Sequence, residues 1–154
     1  MAEHKSIELT ETENIDSSKQ MQAQTAYDAK LRRFTALLDL SKTAVADGDT
    51  VLIARVPQAY RFAYGLITSS VSLATSTLAV SARHIDPATK AEVKNSGKYR
   101  AAAVVTTAQV PLLFGKAGAG AEKDAPEEVY LEAGTAAFPS SGLLQVDLFF
   151  SAAL

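Results

Sequence analysis

Alternation of apolar and polar side chains is clearest near the carboxyl end. In Leu143-Leu144-Gln145-Val146-Asp147-Leu148-Phe149-Phe150-Ser151, Leu144, Val146, Leu148 and Phe150 share one face and Leu143, Gln145, Asp147 and Phe149 the other, because successive strand side chains point to opposite sides. The spacing predicts a strand over 143–151 whose first face enters a core, with nothing appended after it. Upstream the same period recurs. A strand is expected over 34–40, followed by the turn residues Ala46-Asp47-Gly48-Asp49. The next is expected over 50–56, with Val51 and Ile53 on one face and Leu52, Ala54 and Val56 on the other, stopped by Pro57, which has no N–H for a ladder.

Residues 60–69 predict a long strand with Tyr60, Phe62, Tyr64 and Leu66 on one side, read as core, and residues 75–82 another, rich in β-branched residues and alanine. Residues 83–98 are polar and read as a surface excursion. Over 99–107, Ala101-Ala102-Ala103 favours helix and Val104-Val105-Thr106-Thr107 favours strand; the regular β spacing on either side decides for strand. A short run at 112–114 leads into a flexible glycine loop, Gly115 to Gly120, and the strands 127–133 and 143–151 are expected to pair antiparallel around Pro139-Ser140-Ser141-Gly142. Seven or eight short strands with Gly, Pro and Asp punctuation predict an all-β chain, an antiparallel β-sandwich of jelly-roll type.

Residues 1–31 differ from this body. Glu3, Glu8, Glu11, Glu13 and Asp16 stand among Ser, Thr, Gln and Asn, with few large apolar side chains, too little to offset the entropy of ordering alone. They are expected to form an extended polar arm ahead of a sandwich domain at 32–154, ordered by a partner. Within the arm Ser6-Ile7-Glu8-Leu9-Thr10 alternates and suits a sheet edge, and 19–31 suits a short helix.

Composition narrows the function. A chain of 154 residues is long enough for one domain with a real core. With no cysteine, disulfide frameworks, thiolate metal sites and cysteine nucleophiles are excluded. A formal charge of -2 gives no broad basic face for nucleic acid, and Lys30, Arg32 and Arg33 are too short a cluster to supply one. No amino-terminal apolar run resembles a signal peptide and no stretch is long enough for a membrane helix, so a soluble protein made in the cytoplasm is expected.

Candidate chemistry is sparse. His84 stands two residues from Asp86, a base and an orienting carboxylate without a nucleophile; an exposed loop histidine is the plainer reading. Gly115 to Gly120 lacks the Lys-Ser/Thr pair of a phosphate loop. Glu127 and Glu128, as strand neighbours, point apart, one to solvent and the other capping the strand end. No His, Asp and Glu cluster has metal-ligand spacing, and no cofactor is implied. Asp147 reads as exposed or at an interface. Phe149 and Leu143, opposite the core stripe, suggest an apolar subunit contact.

Three blocks, Ala46 to Pro57, Lys98-Tyr99-Arg100-Ala101-Ala102, and Ala137 to Phe149, resemble in order and pattern the small capsid decoration, or cement, proteins of tailed bacteriophages, over about residues 30–154. The resemblance implies a non-enzymatic sandwich in the virion, on the outer surface of the head, bridging neighbouring major capsid protein subunits as a dimer or trimer, without nucleic acid or membrane as direct partner. The candidate interface residues are Ile7, Leu9, Tyr27, Arg32, Arg33, Leu143 and Phe149. Two rivals compete: a carbohydrate- or receptor-binding module of a phage fibre or cell surface using Tyr60 or Tyr64, and an enzyme built on His84.

Overall fold

The computed structural model describes residues 30–120 and 125–152. Among the described residues the elements are eight strands: β1 (Lys30–Asp39), β2 (Thr50–Val56), β3 (Tyr60–Ser69), β4 (Thr77–Ile85), β5 (Glu92–Val104), β6 (Leu112–Phe114), β7 (Glu127–Gly134) and β8 (Leu143–Ala152). They form two antiparallel four-stranded sheets, ordered β1-β8-β3-β6 (sheet A) and β2-β7-β4-β5 (sheet B).

The pairs β1/β8, β2/β7, β3/β6 and β4/β5 are nested like the rungs of one long hairpin, and β3/β8 and β4/β7 join where that hairpin is rolled up. This is the eight-stranded jelly roll. The alternation expected of the closing strand holds: Leu144, Val146, Leu148 and Phe150 are all buried against the other sheet. They meet Val129, Leu131, Val80, Leu78 and Tyr99 in one continuous core, as the inner faces of a sandwich do.

The expected pairing of the last two strands is overturned. β7 lies in sheet B beside β2 and β4, whereas β8 is central in sheet A between β1 and β3. Side-chain alternation sets which face a strand buries and says nothing about its neighbour, and here the 135–142 connection crosses between sheets. The polar stretch 83–98 is also not an excursion: β4 runs on to Ile85, a turn closed by Asp86 follows, and β5 begins at Glu92. β5 is an edge strand whose first five residues are exposed, so its sequence carries no buried stripe. Its register breaks twice against β4, and residues 96–99 bulge opposite Ser81, with Gly97 at φ +62°, a conformation glycine adopts without steric cost.

Bulges also re-aim two strands whose faces the sequence suggested. A register shift between Leu52 and Ala54 leaves Leu52 exposed while Ala54 and Val56 are buried. Another between Phe62 and Tyr64 turns Phe62 inward and Tyr64 outward, splitting the expected aromatic row. One extra residue is enough, because the side-chain period is two.

Just past that bulge, the ring of Phe114 covers the backbone of Gly65; a Cβ there would lie 2.1 Å from the Phe114 Cζ. Gly65→Ala must displace a buried aromatic ring, and the expected cost is about 1–3 kcal/mol, as for other overpacked cores. Urea denaturation measures it; an unchanged midpoint would show that the ring moves freely.

Candidate functional site

The two sheets present opposite outer surfaces. Sheet B carries a polar network, with Leu52, Ile85, Val93 and Val104 also exposed on its strands. Glu128 accepts from Arg55 Nε at 3.0 Å and Arg83 Nε at 2.8 Å, and Arg83 also approaches Glu92 at 3.5 Å and lies 5.7 Å from the centre of the Tyr130 ring. Hydrogen bonds from Arg83 and Arg55 hold the Glu128 carboxyl below its ordinary range. Nearby, Ser81 and Ser96 hydroxyls both donate to Glu132 Oε2, each at 2.5 Å.

Sheet A is different. Its outward positions follow from the inward set of β8: Phe149 sits in register between Arg33 and Tyr64, Asp147 between Thr35 and Leu66, and Gln145 between Leu37 and Thr68, while Leu113 of β6 pairs Leu66. Leu31, Leu37, Leu113 and Leu143 are among the exposed large hydrophobic residues, Leu37 and Leu113 at 63% and 67%. The Tyr64 and Phe149 rings stack with centroids 4.5 Å apart and 18° between planes.

One ion pair lies within this apolar face. Arg33 donates from Nε and Nη2 to Asp147 Oδ1 at 3.1 and 2.9 Å and from Nη2 to Oδ2 at 2.9 Å, and Gln145 Nε2 donates to Oδ2 at 2.8 Å. Asp147 is therefore buried, 6% exposed, against the sequence expectation of an exposed or interface residue: its neighbours cover it. Burial alone would raise its carboxyl, but hydrogen bonds from Thr35, Gln145 and Arg33 together with the Arg33 charge outweigh that and hold it below its ordinary value. A depressed carboxylate stabilises the fold above its unfolded pKa, and that contribution disappears as pH falls through the folded value. The stability gap between the native chain and Asp147→Asn is expected to be fully present at pH 7 and to close below about pH 4, near the ordinary aspartate value. Urea midpoints across pH 2–7 check this; a gap that does not change with pH would contradict it.

Of the sequence-derived candidates, Arg33, Leu143 and Phe149 share this face. Leu143 and Phe149 are six residues apart on one strand, about 20 Å, so they belong to opposite ends of it rather than to one contact. Arg32 is in register with Phe150, on the core-facing side of β1, and is exposed. Ile7, Leu9 and Tyr27 lie outside the described residues. Sequence reasoning missed Leu37, Leu113 and Tyr64. Alternation did carry a signal for Leu37, which sits out of phase with Phe34, Ala36 and Leu38; nothing in sequence marks the bulge that exposes Tyr64.

The other candidate chemistry resolves into structural roles. Asp86 Oδ1 accepts the N–H groups of Ala88 and Thr89 at 2.7 and 3.1 Å, closing the β4–β5 turn. His84 instead lines an open cavity of about 710 Å³ with Arg55, Pro57, Ile85, Pro126 and Glu128. Glu127 and Glu128 do point apart, but Glu127 does not cap a strand end. It is 4% exposed and takes the Lys98 ammonium and, at 2.5 Å, the Tyr99 hydroxyl. Burial, with Glu127 beside it, pushes the Tyr99 hydroxyl far above its ordinary value, so it stays a neutral donor. Arg100, also buried, donates to the carbonyls of Leu78, Ala103 and Val104 and clips the bulged part of β5. Among the described residues no group of three His, Asp or Glu could hold a metal, and no helix is long and apolar enough to cross a membrane.

Fold and surface together define a jelly-roll protein in which sheet B carries a network of ion pairs and sheet A a group of exposed leucines around the Arg33–Asp147 pair. No family model matches the sequence, and no curated protein matches it. Solved structures do. A chain in the structure of the capsid of Ralstonia phage GP4 is similar with a TM-score of 0.60 and 16% identity, over 83% of this chain and 86% of that one. A chain of the cyanophage Pam1 capsid asymmetric unit is similar with a TM-score of 0.53 and 14% identity, over 82% and 86%. At these identities the likeness defines a shared fold.

Proposed function

We propose that this chain is a structural protein of a tailed-bacteriophage virion: a non-enzymatic decoration protein that binds the outer surface of the head and joins neighbouring major capsid protein subunits. The observation that carries this reading is the apolar outer face of sheet A, on a fold shared with chains of two phage capsids. A fold alone does not fix function. What supports a docking role for sheet A is its group of exposed leucines, Leu31, Leu37, Leu113 and Leu143, beside the stacked Tyr64 and Phe149 rings.

Size favours attachment at more than one place. A sheet about ten residues long and four strands wide, one of them short, offers roughly 500 Å², below the roughly 800 Å² per partner of a standard stable interface. Oligomeric attachment as a dimer or trimer, or contacts from residues 1–29, makes up the difference through effective concentration. The sugar-binding rival loses its platform: Tyr60 packs inward, edge-on to Phe34 at 6.1 Å, while Tyr64 faces outward on Phe149.

Co-sedimentation of the purified protein with decoration-free expanded heads tests the proposal. Saturable binding in a fixed ratio to the major capsid protein is expected; failure to bind at tens of micromolar overturns it.

A further inference from the structure

The ion pair set into the outer face of sheet A shows a partner only one of its two charges. Arg33 grips Asp147 through Nε and Nη2, the fork that a guanidinium offers a carboxylate. Both carboxylate oxygens are occupied, Oδ1 by Arg33 and Oδ2 by Arg33 and Gln145, and Asp147 is buried. The Arg33 side chain is 52% exposed. Its remaining nitrogen, Nη1, carries two N–H groups that meet no acceptor among the described residues. What this face offers at its surface is therefore a cation, although the pair as a whole is neutral.

The surroundings of that cation are apolar. Leu31, 53% exposed, stands two residues away on the same side of β1, and Phe149, stacked on Tyr64, is in register with Arg33. A partner that covers these side chains also takes the guanidinium out of water. Without an acceptor for Nη1 the desolvated charge opposes the apolar gain; with a carboxylate it is matched. A second copy does not supply one. The carboxylates on the strands of sheet A are Asp147, which is buried, and Asp39, which is already held by Ser41 and Lys42, so the face does not complement itself.

We propose that the outer face of sheet A takes a surface of the major capsid protein that carries an aspartate or glutamate among aliphatic side chains, its carboxylate accepting from Arg33 Nη1. The inference rests on the reading of sheet A as the docking face and adds the chemistry of the partner. Arginine suits the position because one edge of its planar fork holds Asp147 while the other stays available, which a lysine ammonium does not allow.

Removing Arg33 alone would strand a buried carboxylate, so the test compares Arg33→Gln with Asp147→Asn, which removes both charges, and Asp147→Asn alone, which keeps the cation. Urea midpoints check that each variant is folded. Binding to decoration-free expanded heads is measured by co-sedimentation from about 0.1 to about 1 M NaCl, over which the Debye length falls from about 10 to about 3 Å. The native chain is expected to bind less tightly as salt rises. The double variant is expected to bind at least about tenfold more weakly at the lower salt, with little further salt dependence, whereas Asp147→Asn binds at least as tightly as the native chain. Equal binding of the native chain and the double variant at every salt concentration overturns the carboxylate contact and leaves sheet A as the docking face. Equal losses in both variants would show that the pair only holds β1 to β8, and would overturn it as well. A native dimer that the double variant dissolves, read by light scattering, would assign the face to a second copy and overturn the proposal. A native chain that binds no heads overturns the docking reading and this inference together.

Discussion

Phe150→Ala is expected to destabilise the protein by about 3–5 kcal/mol, the range for removing a large aromatic side chain from a packed core. Phe150 is fully buried and meets the edges or faces of Phe34, Phe62 and Tyr99 at 5.6, 5.4 and 5.9 Å, so one truncation opens a cavity shared by both sheets. Against a typical total of 5–15 kcal/mol that removes a large part of the stability. Phe150→Leu, which keeps most of the volume, is expected to cost much less. Phe149→Ala, on the half-buried outer face, is the informative neighbour: it loses the stacking with Tyr64 without opening the core. Urea midpoints for the three variants check this, and a larger loss for Phe149→Ala than for Phe150→Ala would invert the assignment of faces in β8.

The second large effect concerns binding. Leu37→Asp with Leu113→Asp places two charges on the apolar face at positions already 63% and 67% exposed. Exposed sites of this kind usually change stability by within about 0.5 kcal/mol, but burying an unpaired carboxylate in an interface costs far more. Head binding is expected to weaken at least tenfold, which corresponds to about 1.4 kcal/mol, with an unchanged urea midpoint. Leu52→Asp, equally apolar but on sheet B and 44% exposed, is the control expected to bind normally. Equal loss from Leu52→Asp would move the docking surface to the other sheet.

The closing strand was legible because its alternation is unbroken and one face is wholly apolar. Strands β2 and β3 were legible as strands, yet their faces were not, since a bulge changes the phase of every later side chain and leaves no compositional mark. β5 escaped for the opposite reason: an edge strand exposed over its first half has no stripe to read. The Lys98-Tyr99-Arg100 block stood out as part of a resemblance, but its physical role emerges only in three dimensions, where Tyr99 and Lys98 meet Glu127 from β7 and Arg100 binds carbonyls of β4 and β5. Asp147 shows the same limit. A carboxylate opposite an apolar stripe looks exposed until a cation 114 residues earlier in the chain is placed beside it.

For the candidate interface, strand alternation placed Leu143 and Phe149 off the core face of β8, where the structure also has them. It did not supply the contrast between the two sheets. That contrast lies in the charges: Glu128 and Glu132 are satisfied by a network within sheet B, whereas sheet A carries the Arg33–Asp147 pair, and both sheets leave large apolar side chains exposed.

Cryo-electron microscopy of expanded phage heads incubated with this chain tests the central claim most directly. The account predicts jelly-roll density on the outer surface of the head, with Leu37, Leu113 and Leu143 of sheet A against major capsid protein and the Arg55–Glu128–Arg83 surface of sheet B facing away from it. Heads that lack the chain, or that carry it with the sheet A face open to solvent, would contradict it.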